Sequence, residues 1–170
     1  MTDGSSPKEV IRSLYDFYSN DVYRYAWATL GDSAEAHDVV QEVFLRAYRS
    51  LNSYRHDASA KTWLMTIARN YIFDVLRKKR TERKYLSEYE IPEISDRSTS
   101  PDVVMEVKEA LGQLKDTYRQ VVILRHIENF SPAETAEILG WSETKVRTTA
   151  HRAITKLREI LGSNSEEVKI

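Results

Sequence analysis

Lys145, Arg147, His151 and Arg152 crowd into one stretch, AEILGWSETKVRTTAHRA (136–153), in which Gly140 separates a short apolar pattern from a long basic one. A short helix, a tight turn and a second helix make a helix-turn-helix. In that arrangement the second helix enters the DNA major groove, and its first residues meet base edges. Val146, Ala150 and Ile154 recur every four residues and would face inward. Lys145, Thr148, Thr149 and Arg152 then point outward, with Arg147 and His151 on the flank. An arginine can fork onto guanine O6 and N7, and a threonine can meet a thymine methyl or a phosphate. Ser142 and the free amides of the first turn offer a phosphate site. The competing reading is a plain helical hairpin whose charged side faces water.

A second cationic stretch points the same way. Residues 69–84 hold seven bases against two acids, and residues 141–161 hold five against two. Residues 1–45 are acidic, eight acids to three bases, and so are residues 85–109, seven to two. The net charge of −1 hides this alternation. Two separated basic segments suggest two places that touch a polyanion. Ahead of the first lies NSYRHDASAKTWL (52–64), a polar loop beside aromatics and bases. Such a loop could hold an unpaired base by stacking and phosphate neutralisation.

The elements that must position these residues read as helices, and no stretch shows strand alternation. Ser6-Pro7-Lys8-Glu9 is a capping box with proline at the first helical position. Val10, Leu14, Phe17, Tyr18, Val22, Tyr25 and Ala26 follow at spacings of three and four, until Gly31. Asp32 with Glu35 starts a second helix with Val39, Val40, Val43, Phe44, Ala47, Tyr48 and Leu51 on its apolar side. A third begins near Ala60 and ends in RKKRTERK, with Trp63, Tyr71 and Tyr48 read as buried support. Residues 85–101, rich in acids and serine with two prolines, read as a linker. Beyond it, Val103, Val104, Val107, Leu111 and Leu114 form one stripe, and Tyr118, Val121, Val122, Leu124 and Ile127 another after a cap at Asp116. Ser131-Pro132-Ala133-Glu134 repeats the capping box, and fraying is expected from Gly162. The predicted fold is all-α: two small helical domains, 1–84 and 102–170, joined by a flexible linker.

Three stretches in this order resemble the extracytoplasmic-function (group 4) sigma factors of bacterial RNA polymerase, in the sigma-70 family. FSPAETAEILGWSETKVRTTAHRAITKLREIL is similar to region 4.2, DVVQEVFLRAYRSLNSYR to region 2.2, and KTWLMTIARNYIFDVLRKKR to regions 2.3 and 2.4. Thr144, Lys145 and Thr149 depart from the commonest wording of the region 4 helix. The resemblance implies that residues 102–170 read the −35 duplex through Arg125, Ser142, Lys145, Arg147, Thr148, Thr149, His151 and Arg152. It implies that residues 1–84 open and read the −10 element. Tyr54, Arg55, Asp57, Ala60, Lys61 and Asn70 would meet bases there, and Arg69, Arg77, Lys78 and Arg80 phosphates. Asp38, Gln41, Glu42 and Phe44 would dock on the clamp helices of core polymerase, whose flap is a further expected contact. An anti-sigma factor, commonly membrane-anchored, would hold the chain inactive. The seventeen residues of the linker reach at most about 56–61 Å, against roughly 50–70 Å between two DNA sites one and a half to two turns apart.

Other chemistries find little footing. The chain has 170 residues and no cysteine, which excludes disulfides, thiolate metal sites and a cysteine nucleophile. The histidines at 37, 56, 126 and 151 lack paired spacing, and no glycine-rich phosphate loop occurs. No metal, cofactor, small-molecule substrate or catalytic residue is expected. Neither a signal peptide nor a membrane-length apolar run is present, so the expected setting is the cytoplasm. Two other functions stay open from the residues alone: a stand-alone helix-turn-helix regulator, and a helical adaptor that binds a partner helix.

Overall fold

The computed structural model describes residues 4–54, 59–86 and 102–167. It divides into two compact units, Met1–Ser95 and Asp96–Ile170. All regular structure among the described residues is helical.

The first unit packs three helices, α1 (Pro7–Leu30), α2 (Ser33–Arg49) and α3 (Ala60–Leu86), each against the other two. Their starts follow local chemistry. Ser6 Oγ accepts from the Glu9 amide at 3.3 Å, and the Glu9 carboxylate accepts from the Ser6 amide at 3.2 Å. Gly31, at φ 75°, ends α1 in the left-handed region. The Asp32 carboxylate accepts from the Glu35 amide at 2.9 Å and starts α2. Ser59 Oγ accepts from the Thr62 amide at 3.1 Å and serves α3 in the same way. Val22, Tyr25, Val39, Val43, Leu64, Met65, Ala68 and Ile72 fill the middle of the unit. Lys79 ties α3 to Glu35 of α2 at 2.6 Å. Tyr48 departs from the sequence expectation: it is 42% exposed, because the turn of α2 that carries it presents residues 45 and 48 to solvent. Tyr71 is half-buried beneath the Arg46 guanidinium, 4.8 Å from its ring.

In the second unit α4 (Asp102–Gln113), α5 (Asp116–Val122) and α6 (Pro132–Leu139) all pack on α7 (Glu143–Glu167). Asp116 is not the cap of α5. Lys115 holds the capping position without a side-chain bond, and Asp116 lies inside the first turn, 3.6 Å from Arg119. Arg119 instead closes the end of α4, donating to the carbonyls of Leu111, Gly112 and Leu114 at 2.8, 3.0 and 2.9 Å. Burial lowers its guanidinium pKa. Only the lower part of the α4 stripe is covered: Leu111 and Leu114 are buried, whereas Val103, Val104 and Val107 are exposed. After Val122 the helix widens into a π turn over Ile123–Ile127, where the Glu128 amide reaches back to the Ile123 carbonyl at 2.9 Å. Asn129, at φ 59°, then reverses the chain into α6. Helix α7 continues through Gly162 to Glu167 instead of fraying at Gly162. Of the linker expected over residues 85–101, Tyr85 and Leu86 belong to α3, and the remainder lies outside the described residues.

Candidate nucleic-acid interface

The duplex-reading candidates gather on α7 and the turn before it. Ser131 and Glu134 form a reciprocal cap at 3.0 and 3.1 Å, so α6 starts where the sequence places it. Gly140, at φ 69°, lets the Trp141 amide donate to the Ala136 carbonyl at 2.9 Å. Ser142 Oγ then accepts from the Lys145 amide at 3.1 Å. The Ser142 hydroxyl therefore works first as the helix cap, which leaves neighbouring amides for an anion. Val146 and Ala153 are fully buried, while Ala150 and Ile154 are half-buried. This anchoring exposes Lys145, Arg147, Thr148, His151 and Arg152 on one side, with Thr149 at its margin. Two of the cations are already engaged. The Lys145 ammonium lies 4.1 Å from the centre of the Trp141 ring, and Arg147 pairs with Glu143 at 3.5 Å.

Arg125 stands apart from this set in role. It is half-buried on the π turn and donates to the Phe130 carbonyl, which braces the loop into α6. Its charge has a second effect. The exposed imidazole of His126 titrates below its usual range, chiefly through loss of solvation and secondarily through repulsion by Arg125.

In the first unit the candidate base readers converge on the start of α3. Tyr54 and Trp63 stack with ring centres 4.6 Å apart, so Trp63 is half-buried against the loop and not in the bundle core. Ala60 opens the helix, and Lys61 lies 3.8 Å from Asp21 of α1. Arg55 and Asp57 lie outside the described residues. Asn70 is exposed and accepts from Arg69 at 3.0 Å, while the Arg69 guanidinium lies over Phe73, 4.3 Å from the ring centre. Asn70, Arg77, Arg80 and Lys84 recur at helical spacing, all exposed, with Lys78 exposed beside them. Arg77 makes a solvent-exposed pair with Asp74 at 3.5 Å, which a phosphate can displace.

The proposed polymerase-facing set needs one correction. Asp38 and Gln41 are exposed, and Glu42 is half-buried in a pair with Arg46 at 3.0 Å. Phe44 is 6% exposed and sits edge-on to Tyr15, ring centres 5.0 Å apart. It belongs to the packing between α1 and α2 because it falls one position off the exposed stripe. The side chains that continue that stripe are Leu45, 44% exposed, and Tyr48, 42% exposed. The reading of the sequence placed Tyr48 on the apolar stripe and gave Leu45 no role. Their spacing from Asp38 and Gln41, three and four residues at a time, is the signal that identifies them.

Among the described residues no cluster of histidine, aspartate and glutamate could hold a metal ion, and no helix is long and apolar enough to cross a membrane.

Comparison with known proteins places both units. The family model Sigma-70 region 2 matches residues 14–82, and Sigma-70, region 4 matches residues 105–157. The ECF RNA polymerase sigma factor SigX of Bacillus subtilis is 34% identical, over 95% of this chain and 88% of its own. SigM of the same organism is 32% identical, over 92% of this chain and 99% of its own. In solved structures, the sigma factor RpoE of Bartonella quintana, crystallised with the anti-sigma factor NepR, superposes with a TM-score of 0.77 at 24% identity. It covers 89% of this chain and 96% of its own, a likeness of fold. CnrH in complex with the cytosolic domain of CnrY gives 0.72 at 25% identity, over 94% of this chain and 91% of its own.

Proposed function

Because the chain belongs to the extracytoplasmic-function sigma factors of the sigma-70 family, we propose that its two units divide promoter recognition as their exposed surfaces divide the charge. The protein is a sigma factor that binds core RNA polymerase and directs promoter-specific initiation. The second unit reads the −35 element as duplex through Lys145, Arg147, Thr148, Thr149, His151 and Arg152, with Ser142 and the first-turn amides on phosphate. The first unit opens and reads the −10 element. Tyr54, Arg55, Asp57, Ala60, Lys61 and Asn70 meet bases, and Arg69, Arg77, Lys78 and Arg80 hold phosphates. Asp38, Gln41 and Glu42, extended by Leu45 and Tyr48, face the clamp helices of the polymerase, and the second unit meets the flap. RNA synthesis itself stays with the polymerase, which sets the work in the cytoplasm. The expected domain limits of 1–84 and 102–170 serve this division with one change, α3 carrying the first unit on to Leu86.

One observation supports it above the others: an exposed basic face on α7, anchored from behind by Val146 and Ala153. Run-off transcription with core polymerase on genomic fragments tests it. Arg147→Ala should lower both −35 binding and transcript yield about tenfold, the equivalent of one good base contact. Unchanged yield would remove α7 from promoter reading. Asn70→Ala should impair opening more than −35 binding. The solved relatives bound to NepR and CnrY suggest that an anti-sigma factor also holds this chain. A stand-alone regulator or adaptor is not favoured, since matches to both sigma regions lie in order along the chain.

A further inference from the structure

Lys145 sits in the first turn of α7, at the positive end of the helix dipole, where a cation is disfavoured. Its ammonium is nonetheless held 4.1 Å from the centre of the Trp141 ring. Trp141 is half-buried, and its own amide is tied to the Ala136 carbonyl at 2.9 Å by the turn at Gly140. The Trp141 backbone is thus held by the turn, its half-buried ring has limited room to move, and the lysine rests against that ring. Arg147 has no such support, because its pair with Glu143 is widely open to water, at 67% and 50% side-chain exposure. A lysine on a four-carbon stem loses much freedom when DNA immobilises it, and ordering it beforehand removes part of that cost.

We propose that Trp141 is a positioning residue for promoter recognition: its indole face holds the Lys145 ammonium at the entry of the recognition helix before DNA arrives. A cation over a ring keeps its N–H donors free for a phosphate or a base edge, so positioning and contact are compatible. The inference rests on the reading of α7 as the duplex-reading helix and adds a residue outside the set named there.

The test uses the full chain bound to core polymerase, with a duplex probe selected by that complex from a randomised library. Trp141→Leu keeps an apolar side chain in the turn and removes the ring. It should weaken the probe about two- to fivefold, the range of an exposed cation–π contact. Trp141→Phe should retain most of the affinity. Lys145→Met should weaken binding and lower the salt slope by about one, and in that background Trp141→Leu should cost nothing further. Equal loss in both backgrounds would mean that Trp141 only packs the turn, and it overturns the proposal. So does a Phe variant as weak as the Leu variant. If Lys145→Met and Arg147→Ala both leave the probe unaffected, the reading of α7 itself is lost, and the proposal with it. A second measurement stands free of DNA and of the Leu variant's folding. The Lys145 ε-methylene protons should resonate upfield in the unsubstituted chain, shifted by the indole ring current. A random-coil position there overturns the proposal whatever the binding data show.

Discussion

Phe44 and Leu45 are neighbours in sequence with opposite fates. One lies edge-on to Tyr15 in the packing between α1 and α2, and the other stands 44% exposed on the face that carries Asp38 and Gln41. Phe44→Ala should therefore cost about 3 kcal/mol of stability, seen as a lower melting temperature. Leu45→Ser with Tyr48→Ser should leave the melt within about 0.5 kcal/mol and weaken capture of core polymerase. Equal effects of the two changes on melting would erase the distinction drawn between them. Thr135 is a second case where type misleads. It is fully buried in α6, and its hydroxyl has no hydrogen-bond partner among the described residues. Thr135→Val keeps the shape and removes an unsatisfied polar atom, so it should gain about 1 kcal/mol, read by chemical denaturation. A loss of stability would show that the hydroxyl has a partner. Phe44 stood on the apolar side of α2 in the sequence already, whereas the exposure of Leu45 and the burial of Thr135 were not legible beforehand. Periodicity tells which side of a helix is apolar, not which apolar side chain the neighbouring helix happens to cover.

Helix boundaries were written more plainly. The capping boxes at Ser6–Glu9 and Ser131–Glu134 form as the residue types require, and Gly31 and Gly140 stand where the helices before them end. At Gly140 the demand is purely conformational: φ is 69°, and a Cβ added there would meet nothing within 4 Å. Gly140→Ala should consequently cost about 1–2 kcal/mol in thermal unfolding, with Gly140→Asn less damaging. An alanine variant as stable as the parent would show that the turn can relax to an ordinary backbone. Where the reading of elements failed, the cause was tertiary. Asp116 looked like a cap, but the capping position falls one residue earlier, at Lys115, and Asp116 sits in the first turn beside Arg119, which also closes α4. The π turn at Ile123–Ile127 carried no local signal at all. It lets α5 pack on α7 and still deliver Phe130, 3% exposed, into the core.

Across the whole molecule, the length of chain between the two units limits what they can read together. Fifteen residues lie between the end of α3 at Leu86 and the start of α4 at Asp102, a reach of about 50–54 Å at most. Deleting five of them removes about 17 Å. That should cut transcription at least tenfold at promoters that need both elements, while capture of core polymerase stays unchanged. Full activity after the deletion would show slack in the tether. The order of the two units, their helical class, the helix-turn-helix at Gly140 and the two basic segments were all determined by the sequence itself, because caps, turns and charge act over a few residues. What only the tertiary structure decided is which members of each pattern remain outside. Leu45 and Tyr48 stayed outside, Trp63 moved to the loop beside Tyr54, and Arg125 became a brace for Phe130. Burial is settled by the facing helix, which stands far away in sequence, and no local pattern carries that information.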